Sequence, residues 1–163
     1  IRTHGQEKTY EFKLLGSNFR MPEIAAAIGH VQLTKLPSFL QARRRNAERL
    51  TGELENIDDL ALPRENNKLR QNWYVYTVRL KRDVQKRDKI VERLNALGID
   101  ARVYYKSPVH RTPLYARLGF SGENCPVTDE AALSVFSLPV HPAVTENEIS
   151  YISSNVRRMI EIG

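Results

Sequence analysis

The sequence contains a single cysteine, Cys125, among its 163 residues. One cysteine excludes an intrachain disulfide and a zinc site built from a cysteine cluster, and it favours a reducing cytoplasm as the compartment. The four histidines are scattered along the chain, so the sequence predicts no metal site. No stretch approaches the roughly 20 apolar residues that a membrane span needs, and we therefore expect no membrane segment.

The beginning of the sequence lacks the features of a targeting segment. Residues 1–5 match neither a signal peptide nor a transit peptide, and they include no initiator methionine. We interpret the chain as part of a longer protein. Hydrophobic residues make up 41% and charged residues 27%, which is typical of a globular protein and not of a disordered one.

Basic residues outnumber acidic ones by 25 to 19, which gives a formal net charge of +6. Such a surplus suits a nucleic-acid partner, but it equally suits an enzyme whose ligands carry phosphates and carboxylates. The basic residues at 43–45 point in three directions around a predicted helix. In the basic stretch 64–93, we expect no exposed aromatic residues interleaved with the basic ones in a recognisable RNA-binding motif. We therefore expect no nucleic-acid partner. A basic α+β binding module without catalysis stays open as an alternative.

Helical periodicity dominates the first third of the chain. Pro22 stands at a first helical position with Glu23 in the first turn, and residues 24–31 follow with apolar side chains at helical spacing. We expect Pro37 to bend or interrupt this helix, before a second amphipathic helix that continues to about Ile57. Residues 1–15 show no sustained periodicity and are predicted to be an extended arm.

A polar stretch, 63–71, precedes alternating patterns that are typical of strands. Residues 73–80 predict one strand, with Tyr74 on the same side as Tyr76, and residues 99–105 predict another. The helix expected between them begins at Asp83 and ends at Gly98. This βαβ order places both strands in one sheet, with the helix across its face.

The last third of the chain predicts a long loop, a short helix, an edge strand and a final helix. The loop covers 106–126, Thr128 caps the short helix through about Phe136, and 138–140 forms the edge strand. Thr145 and Glu148 form a capping box for the final helix, which has an apolar stripe. Together these elements predict an α+β fold in which helices cover a sheet of a few strands.

Two segments contain residue types that suit ligand binding. Residues 16–23 place an asparagine amide, Asn18, and a guanidinium, Arg20, just before a helix start, where they could converge on a phosphate or carboxylate. The residues alone favour a simpler interpretation, a turn with an asparagine cap and a surface arginine.

The second segment runs from Tyr104 to His110. A tyrosine face can pack on the C–H surface of a sugar ring, and an imidazole offers one donor and one acceptor. The residues alone favour one tyrosine in the core, the other over the sheet edge, and His110 as a solvated loop residue.

A resemblance to a known family changes both interpretations. Residues 16–29, GSNFRMPEIAAAIG, resemble the Gly-x-Asn-Tyr-Arg-Met segment of the DegT/DnrJ/EryC1/StrS aminotransferases. Further similar blocks follow in the order of that family: RRRNA at 43–47, LGI at 97–99, VYY at 103–105, PVH at 108–110 and LPVHP at 138–142. The resemblance covers nearly the whole chain from His4 onward. The members of that family are fold-type I pyridoxal-phosphate enzymes that act on nucleotide-linked keto sugars.

The resemblance implies an aspartate-aminotransferase-like small domain. Residues 1–35 would be the arm and helix start at the end of the large pyridoxal-phosphate domain, and residues 36–163 would be the interdomain helix and the small C-terminal domain. The implied activity is transfer of an amino group from an amino acid, with glutamate the expected donor, to a nucleotide-linked keto sugar. The implied partners are the upstream cofactor domain and a second subunit. The two subunits would form a homodimer through that domain and the interdomain helix.

The resemblance also implies roles for four residues. Asn18 would cross the dimer interface to the cofactor phosphate of the neighbouring subunit, and Arg20 would lie near a substrate anion there. His110 and Tyr105 would contact substrate. The sequence departs from the family pattern at Phe19, where the usual tyrosine hydroxyl is missing, and at Ala25, which replaces the usual glutamine.

The sequence lacks a lysine in the setting where this family holds its cofactor. Family members form a Schiff base through a lysine in a Ser- and Gly-rich stretch that precedes the His4-Gly5 position, and no lysine here has that setting. We therefore expect no catalytic residue in this chain and no activity from it alone. Some relatives use the same scaffold for sugar dehydration with histidine in place of the lysine, so a dehydratase stays open as well.

Overall fold

The structure, a computed structural model, describes residues 3–66, 68–120 and 122–162. It has an α+β fold with two compact units, the first ending at Ser38 and the second beginning at Phe39. The strands are β1 Gln6–Lys8, β2 Glu11–Phe12, β3 Leu60–Ala61, β4 Tyr76–Leu80 and β5 Val135–Leu138. The helices are α1 Glu23–Leu54, α2 Arg87–Ala96, α3 Pro113–Tyr115, α4 Pro126–Ser134 and α5 Glu146–Ile162.

The first unit contains a short hairpin and the first half of α1. Strands β1 and β2 pair antiparallel, with Gln6 opposite Phe12. The sequence pattern did not predict this hairpin, because two or three residues are too few to show alternation. Helix α1 begins directly after Pro22, whose carbonyl accepts the amide of Ala26 at 3.0 Å.

Pro37 does not interrupt α1, so that part of the prediction was wrong. A single proline removes one amide donor from the helical ladder, and the hydrogen bonds can resume on either side of it. Two hydroxyls near Pro37 donate to backbone carbonyls of the same helix. Thr34 donates to the carbonyl of Val31, and Ser38 donates to that of Lys35, each at 2.7 Å.

The second unit is built around an antiparallel sheet in the order β3-β4-β5. Tyr76 lies opposite Leu138, and the hydroxyls of Thr77 and Ser137 are 2.8 Å apart across the same two strands. One core joins the sheet to α1, α2 and α5. Its fully enclosed side chains are Ala47, Leu50, Leu54, Tyr76, Val78, Leu94, Phe136, Ile149 and Val156.

Strand β4 starts at Tyr76, three residues later than predicted. Trp73 has a left-handed φ of 50°, which breaks the extended chain before the strand. Its side chain is 5% exposed while that of Tyr74 is 74% exposed, so Tyr74 does not share the side of Tyr76. Arg43 holds this bend, since its guanidinium donates to the carbonyls of Trp73 and Tyr74 at 3.2 Å each.

The predicted strand at 99–105 forms only one bridge, between Arg102 and Ser137. The amide of Ala101 donates to the carbonyl of Ile99 at 2.7 Å, and this tight turn prevents the ladder from extending towards α2. The segment does join the sheet, but β5 lies between it and β4. Ile99 and Ala101 are buried, as the alternation predicted.

The region 106–126 is not one loop, as the sequence had suggested. It contains α3 and two other short helical segments, Val109–Arg111 and Ala116–Phe120. Helix α4 starts at Pro126, so Thr128 lies inside its first turn and does not cap it. Proline fixes a helical φ at this first position, which explains the earlier start.

The structure confirms two predicted helix ends. Gly98 has a φ of 80°, and Ile99 donates its amide to the carbonyl of Leu94 at 3.0 Å, as in a left-handed C-cap. The Thr145 amide donates to Glu148 Oε2 at 2.7 Å, and the Glu148 amide donates to Thr145 Oγ1 at 3.3 Å, which forms the capping box. Within the described residues, no helix has both the length and the apolar character of a membrane span.

A polar contact fastens α5 to the end of α1 through Glu53. Its carboxylate accepts hydrogen bonds from Ser153, Arg49 and Ser150, while its backbone carbonyl accepts one from Arg157 at 2.9 Å. Burial alone would raise the pKa of Glu53, but these side-chain hydrogen bonds together hold the pKa below its usual value.

We expect Glu53→Gln to lower the free energy of unfolding by about 1–3 kcal/mol at pH 7, because charge-assisted hydrogen bonds to the carboxylate are weakened. A carboxyl whose pKa is lowered by folding stabilises the folded state above the ordinary glutamate value of about 4.3, and this stabilisation is lost as pH falls further. The difference between variant and wild type should therefore shrink at pH 3.5. Urea unfolding at both pH values measures it.

Glu161→Gln provides the matched control on α5. Its carboxylate lies 3.8 Å from Arg157 and is largely exposed, so we expect a loss of less than about 0.5 kcal/mol. Equal losses in the two variants, or a Glu53→Gln effect that does not change with pH, would contradict this account.

Candidate functional site

Asn18 and Arg20 lie on the segment that enters α1. Asn18 forms a β-bridge with Thr3, and the amide of His4 donates to the carbonyl of Ser17 at 3.1 Å. These backbone contacts fix the segment. Both side chains are exposed, and neither has a hydrogen-bond or ion-pair partner among the residues that the structure describes. The segment therefore presents an amide and a guanidinium, both suited to an anionic ligand.

Gly5 closes the loop that leads to this segment. Its carbonyl accepts the amides of Lys13 and Leu14 at 3.1 and 3.4 Å. Its φ is +76°, and a Cβ added there would stand 1.8 Å from the carbonyl oxygen of Leu14. Only glycine permits this approach. The position thus gives the His4-Gly5 pair a backbone role that the sequence pattern alone did not specify.

Apolar side chains surround Asn18 and Arg20 in sequence and remain exposed in the first unit. They are Leu15, Phe19, Met21, Ile24, Ile28 and Val31. Contiguous exposed apolar side chains of this kind are typical of interaction surfaces.

His110 is not the solvated loop residue that the sequence alone favoured. It lies in the short helical segment after Pro108, and its side chain is 13% exposed. Its Nε2 atom is enclosed and lies 3.1 Å from Oδ1 of Asp129, although the two atoms are not aligned as a hydrogen bond. The ring therefore has only its other edge available for a ligand.

Asp129 also pairs with Arg111. The guanidinium donates from Nη2 to Oδ2 at 2.7 Å and from Nε to Oδ1 at 3.3 Å. Donation from Arg111 is the main cause that lowers the pKa of Asp129, so this carboxylate is ionised at neutral pH. The residue lies in the first turn of α4, where its amide donates to the carbonyl of Cys125 and the helix dipole favours a negative charge.

Sequence reasoning missed Asp129 and Arg111. The carboxylate lies 19 residues beyond His110, across short helical segments that the pattern did not predict. The one available signal was an acidic residue in the first turn of a predicted helix, and such residues are common for reasons of stability alone.

Tyr105 is 75% exposed and Tyr104 is also exposed, so neither tyrosine is in the core. Their rings meet edge to face, with centroids 5.9 Å apart. They line an open groove of about 260 Å³ together with Pro108, Val109, residues of α4 and the start of β5. The groove is mainly apolar and suits the flat face of a ring.

The four predicted residues therefore divide between the two units. Asn18 and Arg20 belong to the first, and Tyr105 and His110 belong to the second. Across 3–66, 68–120 and 122–162, no group of three or more histidine, cysteine or acidic side chains could hold a metal ion.

Comparisons with known proteins identify relatives across nearly the whole chain. The profile of the DegT/DnrJ/EryC1/StrS aminotransferase family matches residues 1–157. A pleiotropic regulatory protein of Geobacillus stearothermophilus is 33% identical over 96% of this chain and 41% of its own length. A dTDP-3-amino-3,4,6-trideoxy-alpha-D-glucose transaminase of Micromonospora megalomicea subsp. nigra is 32% identical over 98% of this chain and 43% of its own length.

A solved structure gives the same result. DesV of S. venezuelae superimposes with a TM-score of 0.83 at 27% identity, over 98% of this chain and 42% of DesV. The chain thus spans about two fifths of the length of the relatives that it matches.

We expect Gly5→Ala to open the loop that carries Asn18. A methyl group would collide with the Leu14 carbonyl, and the left-handed backbone would be strained as well. The amides of Lys13 and Leu14 should then lose protection in hydrogen–deuterium exchange, while the amides of the second unit keep theirs.

Gly52→Ala is the control for this substitution. That glycine lies inside α1, and a Cβ there would meet no atom within 4 Å. Unchanged protection at Lys13 and Leu14 in Gly5→Ala would show that the loop does not depend on this close approach.

Proposed function

The chain belongs to the DegT/DnrJ/EryC1/StrS aminotransferase family, and on this premise we propose that it acts as the C-terminal part of a pyridoxal-phosphate-dependent sugar aminotransferase. The reaction would move an amino group from an amino acid, with glutamate the expected donor, to a nucleotide-linked keto sugar. The observation that carries this proposal is a pair of donors, Asn18 and Arg20, which have no partner among the residues that the structure describes. A fixed backbone presents them beside an exposed apolar surface.

The residues present fit part of a cofactor site. Pyridoxal phosphate, when bound, supplies an aldehyde that carries the amino group and a ring that accepts electrons. Asn18 would donate its side-chain amide to the cofactor phosphate of a neighbouring subunit. Arg20, two residues later, would bind a carboxylate or phosphate of the substrate. Both roles need exposed donors without internal partners, and within the described part of the chain both side chains meet that condition.

The second unit would contribute substrate contacts. Tyr105 would pack against a ring of the nucleotide sugar, and His110 would offer a ring nitrogen to it. The net charge of +6 suits a substrate that carries phosphate groups. The substrates would then be a nucleotide sugar and an amino acid. We propose a cytoplasmic location for the protein and no nucleic-acid partner.

The apolar surface of the first unit would be covered by two protein partners. We propose that these are the cofactor domain of the same protein, of which residues 1–35 are the last part, and a second subunit. Residues 36–163 would then form the interdomain helix and the small domain. Ile24, Ile28 and Val31 lie along one exposed face of α1, which supports burial of this face against a partner.

We expect the longer protein that contains this chain, loaded with pyridoxal phosphate, to transfer ¹⁵N from labelled glutamate to a dTDP-linked keto sugar. The 163-residue chain alone should transfer none, because its lysines lack the setting of a Schiff-base lysine. Mass spectrometry of the sugar nucleotide measures the transfer. A borohydride-trapped adduct at one lysine of the chain alone, in a ratio of one to one, would contradict the proposal.

A further inference from the structure

The position of His110 restricts which of its ring nitrogens can meet a ligand. Nε2 is enclosed and faces Oδ1 of Asp129 at 3.1 Å. Solvent does not separate the two atoms. Whatever the ring binds must therefore approach the other nitrogen, Nδ1.

The proton on the ring follows from the same contact. If Nε2 carried a lone pair, two acceptors would face each other at 3.1 Å in an enclosed space, where their repulsion is not screened by water. A proton on Nε2 turns this repulsion into attraction to the carboxylate. In its neutral form the ring then leaves Nδ1 without a proton, as a hydrogen-bond acceptor.

Asp129 is itself held from two sides. Arg111 pairs with the Asp129 carboxylate, and its shorter hydrogen bond runs from Nη2 to Oδ2 at 2.7 Å. The first turn of α4 fixes the backbone of Asp129. The oxygen that faces His110 therefore cannot rotate away without loss of the Arg111 pair. Because Asp129 is held in this way, its carboxylate can determine which nitrogen of the His110 ring carries the proton.

We propose that Asp129 is a positioning residue that fixes His110 with its proton on Nε2, so that Nδ1 accepts a hydrogen bond from a ligand hydroxyl. The identity of that ligand as a sugar rests on the proposed function, but the state of the ring does not. An acceptor at Nδ1 selects a hydroxyl donor and repels a phosphate oxygen. Residues other than His110 must therefore bind the anionic groups of the ligand.

The isosteric variant Asp129→Asn tests this directly. Arg111 would keep its short contact to the remaining amide oxygen, which places the NH₂ group at the position of Oδ1, against Nε2 of His110. A donor there requires a lone pair on Nε2, so the proton should move to Nδ1. We expect ¹⁵N spectra of the ring-labelled chain, compared in the deprotonated form of His110, to show Nε2–H in the wild type and Nδ1–H in Asp129→Asn.

Glu130→Gln is the matched control, since it removes the same charge from the next residue of α4 and its partner is Arg79 at 3.7 Å. Its His110 spectrum should equal that of the wild type. His110→Gln assigns the signals. Nδ1–H in the wild-type chain overturns the proposal even if Asp129→Asn fails to fold, and so does an unchanged tautomer in a folded Asp129→Asn chain. Because no substrate is present, either result is independent of whether the aminotransferase proposal holds.

Discussion

Helix α1 is buried at one end and exposed at the other. Ala47, Leu50 and Leu54 are fully enclosed, whereas Ile24 and Ile28 remain mostly exposed. Burial of a leucine side chain is worth about 1.5–3 kcal/mol, so Leu50 and Leu54 in the last two turns of the helix help to hold the second unit together. The exposed half of the same helix then lies directly after the segment that presents Asn18 and Arg20.

Polar contacts determine how α5 is oriented on α1 within this apolar packing. Asn46 donates to the carbonyls of His141 and Val144, which sets the chain just before α5 against α1. Glu53 holds α5 itself, since it accepts hydrogen bonds from Ser150, Ser153 and Arg157. Because buried polar groups need their partners, these contacts allow one arrangement of the two helices in preference to others that would bury the same apolar area. They also hold α5 against the end of α1, within the same unit as the groove at Tyr105.

The sequence predicted correctly those features of the fold that depend only on a few neighbouring residues. The glycine C-cap at Gly98 and the capping box at Thr145 depend on a few neighbouring residues, and both were found in the sequence. Trp73 shows the opposite case: its left-handed backbone depends on Arg43, 30 residues away, and so the alternating pattern placed Tyr74 on the wrong side. The strand expected at 99–105 is cut short for a different reason, a tight local turn at Asp100 that the apolar spacing does not reveal.

The candidate site shows the same division. Asn18, Arg20, Tyr105 and His110 were identified because their motifs resemble those of a family, and their roles stay predictions. The pairing of His110 with Asp129 had no sequence signal, since it joins a short helical segment that the pattern did not predict to helix α4, whose start was misplaced. Residue types can thus suggest a ligand, but the state of a side chain depends on contacts that only the fold supplies.

We propose that Asn18 serves the cofactor of another subunit, and dimers formed from two different variants test this proposal. One subunit would carry Asn18→Ala, and the other would lack the Schiff-base lysine of the longer protein. Each homodimer should be impaired, because each site lacks one of the two groups. If Asn18 acts across the interface, the mixed dimer contains one intact site and should recover about half of the wild-type activity per dimer. Activity no higher than that of the Asn18→Ala homodimer would contradict the account.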